Sequence, residues 1–192
     1  MHTNLIEHIK KNVALTDAEK DLISTYFKHQ SIKKKAIILK EGQICQHYYF
    51  ISKGCFRFYI INQKGTEQTL QFGIEDWWLT DYRGFETQQP SNFYIQAIEN
   101  SEVLSITKND FDELLEKVPR IEKYFRIVMQ KAFGAAQMRI KFLFTMTAEE
   151  RYHHFNNQQP HFVQRVPQYM LASYLDFSPE FMSKIRAGKG SS

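Results

Sequence analysis

Residues 47–74 read HYYFISKGCFRFYIINQKGTEQTLQFGI, three runs of aromatic and β-branched residues interrupted by SKG and by NQKG. Such residues fit a pleated, half-buried surface, and glycine reaches the positive φ that tight turns require, so the stretch predicts consecutive antiparallel strands. In the third run Thr66, Gln68, Leu70, Phe72 and Ile74 alternate with Glu67, Thr69, Gln71 and Gly73, which predicts a strand with one buried face. On either side AIILK (36–40), NFYIQAI (92–98) and EVLSIT (102–107) bring the strands to six. Gly42, Gly54 and Gly65 punctuate them at spacings of 12 and 11 residues, the turn rhythm of a compact β-roll or jelly roll.

Helical patterns flank this region. Before it, Leu5, Ile6 and Ile9 share one face, and Thr16 with Glu19 forms a capping-box signature ahead of Leu22, Ile23, Tyr26 and Phe27. After it, Pro119 opens an unbroken helical run over 119–144 with two offset apolar stripes, Ile121/Phe125/Val128/Ala132/Ala135 and Met129/Phe133/Ala136/Ile140/Leu143. A helix of that length spans about 39 Å and, apolar on two faces, needs two partners. One stripe is expected on the roll and the free one against the same helix of a second chain, with Phe125, Val128, Ala132 and Ala135 as candidate dimer residues. Burial of the helix wholly within one monomer is the competing reading. Thr147 and Glu150 form a second capping box before a short helix through Phe155, and the polar link Asn156–Pro160 bounds a last module. The expected division of this α+β chain is 1–118 for the roll with its flanking helices, 119–146 for the long helix and 147–192 for the C-terminal module.

Composition narrows the class. With 192 residues, 43% hydrophobic, 24% charged, 8 Gly and 5 Pro, the chain is globular rather than fibrous. No run reaches the roughly 18 apolar residues of a membrane span, and MHTNLIEHIKKN lacks an apolar signal segment, so no membrane association and a cytoplasmic location are expected. Cys45 and Cys55 are too few for a structural zinc site or a four-thiolate cluster and read as reduced, buried thiols. The net charge of +4 is unevenly placed. Residues 1–119 hold 14 Lys/Arg against 16 Asp/Glu, whereas residues 120–192 hold 11 against 5, a surplus that suits a polyanionic partner.

Residues 168–187, QYMLASYLDFSPEFMSKIRA, place the small Ala172 where a second helix would cross the first, Asp176 where a left-handed residue is needed, and Ser178-Pro179 as a helix start. Leu171, Leu175, Phe177, Met182 and Ile185 supply the apolar contacts of a helix-turn-helix. Glu180 and Lys184, four apart, share one face, and a carboxylate can accept from cytosine while an ammonium donates to guanine. Ser178, Glu180, Ser183, Lys184, Arg186 and Lys189 are therefore the candidate DNA-contacting residues, with Arg186 or Lys189 near phosphate. A helical hairpin without nucleic acid, and an i,i+4 surface ion pair between Glu180 and Lys184, are the structural alternatives.

Over nearly its full length the chain resembles the bacterial cyclic-AMP receptor and fumarate–nitrate regulator superfamily of transcription factors. The resemblance rests on Glu41-Gly42, on YYFISKG ending at Gly54, on Lys64-Gly65-Thr66-Glu67, and on the order roll, long helix, helix-turn-helix. The stretch VPQYMLASYL before the turn is similar to members found in the Bacteroidetes. The resemblance implies a cyclic-nucleotide-binding-type roll, a dimerising long helix and a DNA-binding C-terminus. Double-stranded DNA and a second copy of the chain are the implied partners, with RNA polymerase and a small-molecule effector as further candidates. Cyclic-AMP binders hold the ribose with a Gly-Glu turn and the phosphate with an Arg-Ser pair. Here those places read Glu75-Asp76-Trp77-Trp78-Leu79-Thr80-Asp81 and Ser91-Asn92, with Arg83 the one nearby cation in sequence. Carboxylates repel a phosphodiester, so cyclic AMP is not expected to bind, no cofactor is expected, and another small molecule or no effector remain as readings. The candidate effector pocket comprises Trp77, Trp78, Asp81, Tyr82, Arg83, Ser91 and Asn92. With Phe85, Phe93 and Tyr94 these rings either line a ligand site or fill the roll interior in its place. In the same family Pro179 stands where some members have a further arginine, and the wing that follows the recognition helix in the best-known members is expected to be missing.

Other classes fit less well. A metal enzyme on a β-roll needs histidines converging from strands, but only His47 lies in the strand region, and His153 and His154 are adjacent on a helix, about 100° apart. No nucleophile-elbow, P-loop or C-x-x-C pattern is present, so no enzyme activity is expected. A histidine-ligated haem stays open, as does a ligand-binding module without sequence-specific DNA binding.

Overall fold

The computed structural model describes residues 2–187, the Arg186 side chain excepted. Two helices, α1 (Thr3–Lys10) and α2 (Asp17–Tyr26), open the chain. The capping box of α2 forms: the Thr16 hydroxyl accepts from the Glu19 amide at 3.3 Å, and the Glu19 carboxylate accepts from the Thr16 amide at 2.7 Å. Strands β1 (Lys28–Ile32), β2 (Ile37–Leu39), β3 (His47–Lys53), β4 (Phe56–Ile61), β5 (Glu67–Gly73) and β6 (Trp78–Leu79) follow. A short helix α3 (Tyr82–Thr87) precedes β7 (Tyr94–Ala97) and β8 (Ser101–Thr107). The rest is helical: α4 (Lys108–Lys117), α5 (Arg120–Thr145), α6 (Ala148–Gln158), α7 (Pro160–Arg165), α8 (Gln168–Leu175) and α9 (Pro179–Arg186).

The strands form two four-stranded sheets, ordered β1-β8-β3-β6 and β2-β7-β4-β5. In the first, β3 and β8 pair antiparallel with Tyr49 opposite Ser105 and Phe50 opposite Leu104, and β1 borders β8 with Gln30 opposite Val103. All six expected strands are present, and Gly42, Gly54 and Gly65 take φ of 82°, 107° and 76°. At Gly54 the requirement is doubled, because a Cβ there would overlap Ser101.

Three elements escape a pattern reading. Strand β1, KHQSI, carries no apolar alternation and owes its place to the β8 ladder. Strand β6 is two residues long, and α3 interrupts a stretch with no helical period. Two expectations need correction. On β5 both faces are covered, since Thr69 on the face opposite Phe72 is fully buried; its amide donates to Ser173 Oγ at 2.8 Å. Asn156–Pro160 is not an irregular link, for α6 runs to Gln158 and Pro160 starts α7 at a first-turn position that does not need its missing N–H.

Two compact units result. One comprises the residues up to Phe58 together with Phe72–Lys131, and the other Tyr59–Gln71 together with the residues from Ala132 on. The tip of the β4–β5 hairpin thus belongs to the second unit, and α5 contributes to both. The core of the first unit is a ring cluster. Tyr48 and Phe50, two apart on β3, both meet the Trp78 ring, at centroid distances of 4.6 and 5.3 Å. Phe125 packs on Trp78 at 5.0 Å and on Phe111 at 4.7 Å. The polar atoms inside this cluster are paired: Trp78 Nε1 donates to the Tyr124 hydroxyl at 2.7 Å, and that hydroxyl lies 2.7 Å from His8 Nδ1. An indole only donates, so the Tyr124 oxygen accepts from Trp78, while the donor between that hydroxyl and His8 Nδ1 depends on the imidazole tautomer. Burial, with help from Lys11 and Lys131 and against the pull of Asp76, holds the His8 pKa below its usual value.

Candidate functional site

Helices α8 and α9 meet across a three-residue turn. Leu171 and Ala172 on α8 and Met182 and Ile185 on α9 are buried. Asp176 takes the left-handed conformation at φ 63°, and Ser178 Oγ accepts from the Phe181 amide at 3.2 Å, capping a helix whose first residue is Pro179. These are the roles that the sequence assigns to Asp176 and Ser178. With one side of α9 turned inward, Ser178, Glu180, Ser183 and Lys184 are exposed on the other. No ion pair joins Glu180 to Lys184 among the described residues. The Glu180 carboxylate instead draws on the Ser178 hydroxyl and its own backbone N–H, which hold its pKa below the usual carboxylate range. Arg186 lies in the last turn of α9, with its side chain outside the described atoms, and Lys189 is outside the described residues.

The candidate effector residues do not converge. Trp78 is 4% exposed in the ring cluster between β3 and α5, which corrects its assignment to a pocket: its indole serves the core. Its neighbour Trp77, on the opposite face of the chain, is 49% exposed. Arg83 and Asn92 face solvent, and Tyr82 meets the Tyr48 hydroxyl at 3.2 Å. Asp81 and Ser91 are brought together, both nearly inaccessible. Ser91 Oγ donates to Asp81 Oδ2 at 2.7 Å and accepts from the Phe93 amide at 3.1 Å, while Asp81 Oδ1 accepts from the Gly84 amide at 3.1 Å and caps α3. Gly84 is needed there, since a Cβ would come within 2.5 Å of Asp81 Oδ2. These two residues stand where the resemblance places the ribose carboxylate and the phosphate arginine, and they satisfy each other. Among the described residues Asp81 meets no cation in an ion pair, and its side chain is engaged by Ser91 and the Gly84 amide. An open depression of about 420 Å³ lies elsewhere, beside the β2–β3 connection, lined by Ile38, Ile44, Cys45, His47 and Tyr49, none of them an expected pocket residue. Both cysteines are buried and unpaired with each other, and no group of three or more His, Cys, Asp or Glu side chains is arranged to hold a metal among the described residues.

On α5 the two stripes have different fates. Phe125 is 7% exposed in the ring cluster, and Val128 is half-buried against the same core. Phe125 is therefore removed from the candidate dimer residues, because its ring is covered by its own chain. Ala132 is half-buried and Ala135 exposed. The second stripe is open, with Phe133 64% and Ile140 54% exposed and Met129 also exposed. Single exposed apolar residues are ordinary, but a row of large ones along one helix marks a contact surface. No sequence pattern pointed to Arg139 or Arg151, whose guanidinium groups reach the end of α8. Their positions on neighbouring helices become meaningful only once the helices are packed.

In chain order, two antiparallel sheets with the short α3, the long α5 and a C-terminal helix-turn-helix give the element order of a cyclic-nucleotide-binding-type domain followed by a helix-turn-helix module. Comparison with known proteins gives the same class: residues 29–118 match the family described as the cyclic nucleotide-binding domain. The chain is 28% identical over 140 residues to an anaerobic regulatory protein of Haemophilus influenzae, covering 71% of this chain and 53% of that one. It is 29% identical over 142 residues to a fumarate and nitrate reduction regulatory protein of Vibrio cholerae, covering 71% and 54%. The chain thus spans about half the length of these relatives. Its fold is that of FixK2 from Bradyrhizobium japonicum, with a TM-score of 0.73 at 16% identity over 84% of this chain and 83% of the other. Residues 29–118 thus carry the features of a cyclic nucleotide-binding domain, and the chain is similar to regulators of the Crp/Fnr type over about half their length. No helix among the described residues is long and apolar enough to cross a membrane.

Proposed function

We propose that this chain is a DNA-binding transcriptional regulator that works as a cytoplasmic homodimer, reading the major groove with α9 and taking its signal through a roll that does not use cyclic AMP. The observation that carries the reading is the division of α9. Met182 and Ile185 are buried on its inner side, while Ser178, Glu180, Ser183 and Lys184 are exposed on the outer side, as a recognition helix requires. The charge surplus of the C-terminal part and the regulatory names of its relatives support it. Because the Glu180 carboxylate is partly engaged at the helix start, Lys184 is the leading base-reading side chain. Lys184→Ala is expected to cost about 1–3 kcal/mol on the preferred duplex and much less on random duplex. Titration of both duplexes by fluorescence anisotropy measures this; equal losses on the two would make Lys184 a phosphate contact.

The roll's part of the proposal rests on the Asp81–Ser91 pair, which fills the anion position with a buried carboxylate. Calorimetry with cyclic AMP is expected to show no site of micromolar or tighter affinity. Such a site would overturn this part and leave the DNA reading intact.

A further inference from the structure

Four consecutive carbonyls at the end of α8 accept from three side chains. Ser173 O accepts from Gln68 Nε2 of β5, Tyr174 O from Arg139 Nη2 of α5 at 2.8 Å, and Leu175 O from Arg151 Nε of α6 at 3.0 Å. Asp176 O lies 3.5 Å from Arg151 Nη2. Further bonds lock each donor's element to the same place. The Ser173 hydroxyl accepts from the Thr69 amide at 2.8 Å and donates to Glu67 O at 3.0 Å, tying α8 to β5 twice more. Arg139 lies 4.6 Å over the Tyr174 ring, and Arg151 Nη1 donates to Met146 O at 2.7 Å at the junction of α5 and α6.

A helix leaves its last carbonyls without internal partners, and water or a single capping residue commonly satisfies them. Here a strand and two helices do so, just before the turn from which α9 starts. A guanidinium presents its donors in a fixed planar fork, so two of these three clamps transmit direction as well as attraction, and their charge suits the negative end of the α8 dipole. We propose that the C-terminal end of α8 is a coupling node in which Gln68, Arg139 and Arg151 are positioning residues for α9, so that a shift of the β4–β5 hairpin or a turn of α5 re-aims the recognition helix. The inference rests on the DNA-binding reading for its consequence. It also assigns two of the cations in the positive C-terminal part to backbone carbonyls rather than to phosphate.

The test uses the full chain and the variants Gln68→Ala, Arg139→Gln, Arg139→Lys and Arg151→Gln, with duplexes enriched by the wild-type chain from a random library and a random-sequence duplex of equal length. Each of the Gln68→Ala, Arg139→Gln and Arg151→Gln variants is expected to lose about tenfold affinity for the enriched duplex, the equivalent of one hydrogen bond to a charged or well-aligned donor. Affinity for the random duplex, and the slope of affinity against salt, should stay as in the wild type. Equal losses on both duplexes with a slope reduced by about one would make the arginines phosphate contacts and overturn the proposal. Amide hydrogen exchange supplies a readout independent of DNA. The amides of Met182, Lys184 and Ile185 are expected to exchange about fivefold faster in Gln68→Ala and Arg139→Gln, with β3 and β8 unchanged. Unchanged α9 exchange would overturn the node whatever the DNA result. Arg139→Lys should recover α9 protection only in part, and complete recovery would show that charge without the fork suffices, against the proposal. If the wild type enriches no sequence, the DNA reading fails while the exchange arm still decides the node.

Discussion

Trp78→Ala is expected to cost about 3–5 kcal/mol of folding stability, the range for removing a large ring from a packed core. The indole contacts Phe27, Tyr48, Phe50, Tyr124 and Phe125, so one substitution opens a cavity shared by two rings of β3, by Phe27 at the end of α2 and by the start of α5. Trp78→Phe keeps most of the volume and removes only the donor to Tyr124, for an expected cost of about 1–2 kcal/mol. Denaturant titration of the three proteins measures the difference. Equal costs for both substitutions would mean that the hydrogen bond, and not the packing, holds this core. The same cluster gives a pH dependence. Folding holds the His8 pKa down, chiefly by burial, whereas the unfolded chain takes up a proton near the usual value of about 6.5. Stability from this group is complete above that value and declines as the pH falls below it, because the unfolded state then binds more protons. His8→Gln should lessen that decline in a series of melting temperatures between about pH 5 and pH 7.5; an unaltered decline would place its origin in other groups.

Phe133→Glu combined with Ile140→Glu is expected to convert the dimer to monomers. Both side chains lie on the open stripe of α5, and in the proposed dimer each would bring an unpaired carboxylate into an apolar seam. A loss of about 3 kcal/mol would raise the dissociation constant on the order of a hundredfold, enough to see by light scattering across a dilution series. The folded monomer should persist, since neither side chain is buried in its own chain. Phe125→Glu is the contrasting change, as that ring belongs to the core and its replacement should unfold the first unit rather than separate two folded chains. A dimer that survives the double substitution would place the interface on another surface.

The legibility of this chain followed the range of the interactions. The three turn glycines, the capping boxes at Thr16 and Thr147 and the Asp176/Ser178 turn were readable because each is settled by neighbours within a few residues. The helical period of α5 likewise revealed two stripes. It did not reveal which stripe the roll would cover, since both are apolar and the choice depends on where β3, α4 and Trp78 stand. Strand β1 had no pattern to read because its ladder partner on β8, Ser101 to Ser105, lies far along the chain. The candidate pocket was the weakest reading for the same reason: Trp77 and Trp78 are adjacent in sequence and indistinguishable in type, yet one is exposed and the other buried.

By itself, then, the sequence determined the type of every element except β1, β6, α3 and α7, the turn chemistry, the order of roll, long helix and helix-turn-helix, and the exposed face of α9. Only the tertiary structure decided that Asp81 and Ser91 hydrogen-bond each other in a buried pair, that Phe125 belongs to the core, and that Gln68, Arg139 and Arg151 meet at one helix end. Local conformation is governed by backbone sterics and near neighbours, which a sequence displays in order. A buried polar pair or a shared helix end depends on which distant side chains come within about 3 Å of each other, and that distance exists only in the packed chain.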